Sequence, residues 1–260
     1  MITKQYTQAP EGKTLLVPSY SKWSDDRLME GDDQNFMKKL YHRAKDLGDD
    51  CYDAMAYELT PLDPEIYRQN LIYYMRRRAW SEWFFGTVSP ARQITLLPDD
   101  QEALKFRLAR QIHDEIRHYD VFEKHLRRYG AEVNLNEFQL PEILVRMQKV
   151  QLEMETASEI AATNQFAGEV VLTSMTDREK GIFAKLVDEE LMDDIENIEM
   201  DEPPHVANGR DLILLFCATP DQRRRLASAQ EQYLAAMVQL HALEIVKLGS
   251  RRLRPLPVFD

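Results

Sequence analysis

The strongest constraint on the fold is a series of long segments that begin and end with helix-capping residues. Asp63-Pro64-Glu65 places an N-capping residue before a proline at the first helical position, and Thr219-Pro220-Asp221 repeats that pattern. Thr176-Asp-Arg-Glu179 has the form of a capping box, whereas Gly130 is suited to end a helix. Together with Pro141, these positions predict helices over about residues 63–88, 99–129, 141–174, 176–200 and 219–249.

Composition supports an all-α fold. The chain of 260 residues contains only nine glycines and is rich in Leu, Ala, Glu, Gln and Arg, which favour helices. Long amphipathic helices with modest connections bury their apolar faces most simply as an antiparallel four-helix bundle. We therefore predict an N-terminal arm and helix over residues 1–62, a four-helix bundle over 63–202 and a C-terminal helical extension over 203–260.

Charge and cysteine content limit the classes of partner. The 44 acidic residues outnumber the 33 basic ones, and the net charge of -11 argues against nucleic acid and against an anionic membrane surface. Two cysteines cannot form a disulfide framework, and the apolar run from Leu212 to Ala218 is too short to cross a bilayer. We expect a soluble, cytoplasmic protein. Clustered arginines are typical of solvated faces but could also bind a phosphate or an acidic group, and they occur at 76–78, 223–225 and 251–252.

One short pattern indicates metal chemistry. Glu115 and His118 are three residues apart on the second predicted helix, so their side chains lie about 60° apart around its axis. A carboxylate and an imidazole on one helix face form half of a binding site for a transition metal such as iron. An exposed pair at the same spacing would show the same pattern. The remaining helices distinguish these alternatives.

Each of the other three bundle helices offers an acidic residue at a comparable place. Glu82 is flanked by aromatic residues, where a carboxylate without compensation would be costly to bury. Glu159 lies in the least charged stretch of the third helix, and on the fourth helix Glu190 and Asp193 hold the places of Glu and His. Glu82 and Glu115 are 33 residues apart, and Glu159 and Glu190 are 31 apart. Nearly equal separations are expected of a bundle with approximate internal two-fold symmetry.

Asp193 is where the pattern is incomplete. An aspartate is shorter than a histidine and anionic, so it would bind a metal directly or through water. The acidic run 188–194 also has the composition of a surface charge cluster. His205 follows two prolines and is an alternative source of the missing imidazole.

These residues resemble the ligand set of the ferritin-like di-iron carboxylate oxygenases. Five of them stand where that family has its metal ligands: Glu82, Glu115, His118, Glu159 and Glu190. The segments 158–164 and 188–190 are similar to the second half of the bacterial multicomponent monooxygenase site, and 81–82 and 114–118 are similar to the catalytic subunit of phenylacetyl-CoA epoxidase. The resemblance covers about residues 63–202, and Asp193 stands where the family has a histidine.

The resemblance implies a dinuclear iron centre, with manganese or a mixed iron and manganese pair as alternatives. It also implies O2-dependent hydroxylation, epoxidation or a related oxidation of a small organic substrate. A reductase or ferredoxin is the expected electron donor, and a homo-oligomer such as a homodimer is the expected assembly. Two other functions fit the same residues: a ferroxidase or peroxidase, and a metal-free helical subunit of an oxygenase complex.

Overall fold

The computed structural model describes residues 6–8, 14–16, 25–58, 64–133, 142–173 and 188–247. It confirms the all-α prediction, apart from a short antiparallel hairpin in which β1 (Tyr6–Gln8) pairs with β2 (Thr14–Leu16). The predicted capping box at Thr176 lies outside the described residues. In the parts of the chain that are described, no helix has the length and apolarity to span a membrane.

The helical elements follow one another with short connections. Two of them are π-helical, and we call these segments π1 and π2. In chain order the elements are α1 Asp25–Met29, α2 Asp33–Glu58, α3 Pro64–Ser81, π1 Glu82–Val88, α4 Ser89–Leu96, α5 Glu102–Arg128, α6 Glu142–Leu152, α7 Ala157–Thr163, π2 Asn164–Glu169, α8 Glu189–Leu215 and α9 Pro220–Lys247.

Several predicted helix ends are confirmed and others are wrong. Helices α3 and α9 begin at the predicted prolines, and Gly130 follows α5 with the positive φ of 71° that favours glycine. The first predicted helix continues past residue 88 through π1 to Leu96. The third is interrupted between Leu152 and Ala157, where Thr156 caps a new helix.

The predicted end of the fourth helix before Pro203-Pro204 is wrong, because α8 continues through both prolines to Leu215. Proline removes a backbone donor and usually disrupts a helix interior. Here both prolines are exposed, whereas Glu202 and His205 beside them are buried. Packing of the opposite face therefore holds the helix together. The predicted domain boundary at 202/203 falls inside α8.

Helices α5 and α8 are the two central helices of the fold. Helix α5 packs against α3 and π1, α8 packs against α7 and π2, and α5 and α8 contact each other. Helix α9 packs against α2, α6 and α7. Buried apolar residues form two clusters, one containing Phe122 and Leu191 and the other containing Leu108 and Leu212.

Both central helices cross from one apolar cluster to the other. In each helix the middle of the buried face is polar, at 111, 115 and 118 in α5 and at 202, 205 and 208 in α8. A band of buried polar side chains therefore separates the two apolar clusters.

The close contact between α8 and π2 predicts how a substitution at Gly209 changes the stability of the protein. A Cβ atom at Gly209 would lie 2.4 Å from Cβ of Gln165 and 3.0 Å from Cδ2 of Phe166. Gly209→Ala should therefore destabilise the protein by about 1–3 kcal/mol, although alanine favours helices. Urea denaturation measures the change, with the exposed Arg210→Ala as the control. A Gly209→Ala protein as stable as wild type would contradict this packing.

Candidate metal centre

Six ionisable side chains meet in the polar band, and each is at most 5% exposed. They come from four helical segments, so the fold brings together residues that are distant in the sequence. The set consists of Glu82 in π1, Glu115 and His118 in α5, Glu169 in π2, and Glu202 and His205 in α8.

Glu115 is the centre of this cluster. Its Oε2 lies 3.3 Å from Nδ1 of His118, and its Oε1 lies 3.2 Å from Nδ1 of His205. Nδ1 of His205 is also 3.2 Å from Oε2 of Glu202. One carboxylate therefore contacts an imidazole from each central helix.

The donor atoms divide into two overlapping groups. Glu82, Glu115 and His118 offer ligand atoms that all lie within 4.8 Å of one another, and so do Glu115, Glu169 and His205. Because Glu115 belongs to both groups, it could bridge two metal ions. Carboxylate oxygen and imidazole nitrogen suit iron, manganese and other first-row transition metals.

The sequence contains a repeat that explains this arrangement. Asp-Glu-x-x-His occurs at 114–118 and again at 201–205, and each motif follows a buried glutamate by the same 33 residues from glutamate to glutamate. These glutamates, Glu82 and Glu169, both lie in π-helical segments. The first half of the site was predicted. The second half was missed because Pro203 and Pro204 were interpreted as a helix end.

The structure does not bring Glu159, Glu190 and Asp193 to the cluster. Glu159 completes the capping box of Thr156 and pairs with Arg225 at 2.9 Å. Exposed Glu190 pairs with Lys124, and Asp193 is exposed. Glu159 and Glu190 occupy the first turns of α7 and α8, where carboxylates stabilise helix ends.

Their places in the cluster are taken by Glu169, Glu202 and His205. His205, the alternative considered from the sequence, is therefore the second imidazole and takes the place predicted for Asp193. Its Nδ1 contacts both Glu115 and Glu202.

An aspartate lies near the outer nitrogen of each imidazole. Nε2 of His118 lies 3.1 Å from Oδ2 of Asp201, which also pairs with Arg117. Nε2 of His205 lies 3.7 Å from Oδ2 of Asp114. Each Asp-Glu-x-x-His motif therefore places its aspartate beside the outer nitrogen of the other motif's histidine, but only the contact between Asp201 and His118 is short enough for a hydrogen bond that directs Nδ1 toward the cluster.

A glycine in π1 lets the backbone of this segment lie close to the central carboxylate. A Cβ atom at Gly86 would lie 2.8 Å from Cδ and Oε2 of Glu115. The absence of a side chain at this position lets π1 pack directly on Glu115. On the other side of the cluster, the side-chain amide of Gln111 contacts two of the carboxylates. Its Nε2 lies 3.4 Å from Oε1 of Glu115 and 3.4 Å from Oε1 of Glu169.

Burial shifts the pKa values of the carboxyl groups in different directions. Burial raises the pKa of Glu82 to about 7 against the opposing charge of Arg78, and burial with the charges of Glu202 and Glu115 raises that of Glu169 well above its ordinary value. For Glu202, burial is outweighed by the hydrogen bond and charge of His205, and its pKa falls to about 2.

The imidazoles retain their protons. Burial disfavours the charged ring of His118, but the hydrogen bond and charge of Glu115 outweigh it and raise the pKa to about 10. In the same way, the charges of Glu115 and Glu202 raise the pKa of His205 to about 9. Two imidazolium groups thus neutralise part of the carboxylate charge, and two divalent cations could replace these protons. The donor set fits a dinuclear metal site.

A cavity with polar and apolar walls adjoins the cluster. Glu82, Glu115 and Glu169 form part of its wall. Phe85 lines it as well. Other apolar walls come from α6 and α9, through Leu144, Met147, Met237 and Leu240.

Arg78 makes the two halves of the site unequal. Its Nε and Nη2 donate to Oε1 of Glu82 at 3.1 and 3.0 Å, and its guanidinium lies 5.1 Å from the ring centre of Phe122. The position 87 residues later, where the repeat would place an arginine beside Glu169, is the neutral Gln165. Glu82 is therefore paired with a fixed cation, whereas Glu169 is not paired in this way with any arginine of the described segments.

Comparisons of the chain with protein-family models, with curated proteins and with solved structures found no match. The resemblance to di-iron oxygenases therefore depends on the site residues themselves.

The raised imidazole pKa values predict how stability of the metal-free protein depends on pH. The folded values of about 10 and about 9 exceed the ordinary value of 6.5. Stabilisation by both protons is fully present below pH 6.5 and is lost as the pH rises through 9 and 10. The urea midpoint of chelator-treated protein should therefore fall between neutral and alkaline pH. The fall should be smaller in a His118→Gln/His205→Gln double variant, and equal falls in both proteins would contradict this account.

The position of Arg78 predicts unequal metal binding. The cation beside Glu82 opposes a second cation there, so Mn²⁺ should bind first near Glu169 and His205 and more weakly near Glu82. Arg78→Gln should tighten the weaker site by about tenfold, equivalent to about 1.4 kcal/mol. Calorimetric titration with Mn²⁺ measures both affinities, with Arg76→Gln as the control. Two equal sites in wild type would contradict the prediction.

Proposed function

We propose that this protein is a ferritin-like di-iron oxidoreductase that uses O2 to oxidise a small organic substrate. The observation that supports this most directly is the buried set of four glutamates and two histidines from four helical segments. A glutamate from each of two helices with Glu-x-x-His from each of two others is the pattern of di-iron and di-manganese carboxylate bundles.

The second Glu-x-x-His motif affects which metal the site would favour. With Asp193 as a ligand, the second position would have lacked an imidazole, and manganese would have been a stronger competitor. With His205 in place, both positions have one imidazole and carboxylates. This donor set supports iron at both positions, although manganese remains chemically compatible.

The protein's own residues would bind and orient the metals and keep water away. The four glutamates and two histidines would hold the metals, Asp201 would orient the ring of His118, and the two apolar clusters would exclude solvent. A bound di-iron centre would supply the reaction of O2 with two electrons from an external donor. A reductase or ferredoxin would provide these electrons.

The cavity favours an organic substrate over the two rival functions. The cavity lies directly beside three of the candidate ligands, and several apolar side chains form part of its wall, as expected of a small-molecule site. A ferroxidase has no need for a pocket with apolar walls next to the metals. A metal-free subunit would have no use for a complete set of donors, and Glu202 with His205 completes the set.

Metal analysis tests the proposal. Protein produced with added iron and without chelator should contain about two irons per chain, as two overlapping donor groups imply. Glu115→Ala should lose most of both, because this glutamate belongs to both groups. Glu190→Ala, an exposed glutamate on α8, is the matched control and should keep them. Iron retained by Glu115→Ala and lost by Glu190→Ala would refute the site.

A second measurement separates the oxygenase from the ferroxidase. Anaerobic protein with two Fe²⁺ per chain is exposed to O2, and further Fe²⁺ is then added. An oxygenase should stop consuming O2 once the bound pair is oxidised, unless a reductant is supplied. Continued oxidation of many irons per chain would support the ferroxidase instead.

A further inference from the structure

The cavity beside the carboxylate cluster has a positively charged side chain in its wall. Arg77 lines the cavity and is only 3% exposed, so its charge lies inside the protein. Its guanidinium lies 5.1 Å from the ring centre of Tyr74, and this stacking limits its movement. The arginine is therefore a fixed part of the cavity.

Arg77 lies apart from the candidate metal ligands. It precedes Glu82 by five residues, which corresponds to about 7.5 Å along a helix axis. Ser81, one turn after Arg77, also lines the cavity. A ligand in the cavity could therefore contact Arg77 at one end and approach the cluster at the other.

A second polar group in the wall requires a hydrogen-bond acceptor. Asn164 is 2% exposed and lines the cavity, and its Nδ2 has no hydrogen-bond partner among the residues that the structure describes. A buried donor without a partner costs about 1–3 kcal/mol. An oxygen atom of a ligand would remove this cost.

Four apolar side chains in the wall favour a ligand with an apolar part. Leu144 and Met147 of α6 face the cavity together with Met237 and Leu240 of α9. These side chains can bury an alkyl or aromatic group but cannot accept hydrogen bonds from a polar one.

We infer that the cavity binds a small organic carboxylate, with its anionic group at Arg77 and its apolar part directed toward the cluster. A guanidinium pairs with a carboxylate through two parallel hydrogen bonds, which a neutral amide cannot reproduce. This inference rests on the proposed function for the oxidation step, but not for binding.

Calorimetry with three ligands of equal length tests the inference. Octanoate, octanamide and octylamine are titrated into wild-type protein with and without Mn²⁺, which balances the carboxylate charge of the cluster. Octanoate should bind to the Mn²⁺ form at least about tenfold more tightly than octanamide, a difference of about 1.4 kcal/mol. Equal binding of octanamide, tighter binding of octylamine, or binding of none of the three would overturn the inference.

Variants assign the preference to Arg77. Arg77→Met should abolish the difference between octanoate and octanamide, whereas Arg76→Met, an arginine outside the cavity wall, should preserve it. If Arg77→Met does not fold by circular dichroism, Asn164→Asp and Leu240→Phe decide. The first should weaken octanoate more than octanamide by adding a negative charge, and the second should weaken both by filling space. A preference unaffected by all of these substitutions would overturn the inference.

The outcomes also separate this inference from the proposed function. Selective octanoate binding by a protein that holds no iron would leave the carboxylate site standing and refute the di-iron proposal. Two bound irons with no preference for octanoate would do the reverse.

Discussion

Four carboxylates buried within a few ångströms of one another repel strongly, and the rest of the structure must compensate for that repulsion. The compensation comes from Arg78 and from two imidazolium rings whose protons are held tightly by Glu115 and Glu202. Such a cluster is costly in a protein that needs only stability. Its persistence between two apolar clusters is understandable if cations replace the protons, because binding energy then offsets the cost of burial.

The same requirement explains the geometry of the helices around the cluster. Helices α5 and α8 each interrupt an apolar face with three polar positions, and π1 and π2 each bring one more glutamate to that level. A wider helical turn changes which residues face inward, so a π-helical segment can present a carboxylate while the flanking turns stay packed. Gly86 and Gly209 then permit the close contacts that this arrangement needs.

The sequence was sufficient for the helical class and for half of the candidate site. Glu82, Glu115 and His118 could be predicted because aromatic neighbours mark a buried glutamate and the Glu-x-x-His spacing marks one helix face. Glu159 misled because a capping-box glutamate also lies in a weakly charged helical stretch. The equal spacing of 33 residues from Glu169 to Glu202 was available in the sequence, but local helix rules ended the fourth helix before His205. Only packing overrides those rules, and packing is not visible in a single segment.

The two prolines that concealed the second motif also affect how it is held. Between Glu115 and His118 the chain has Ile116 and Arg117, whose backbone is free to rotate when the protein unfolds. Between Glu202 and His205, both intervening residues have φ fixed by their rings. Less backbone entropy is lost when this turn is formed, so the spacing of these two side chains is partly set before folding begins. The two halves of the centre thus reach similar geometry by different routes, one through packing alone and the other through packing together with covalent stiffness.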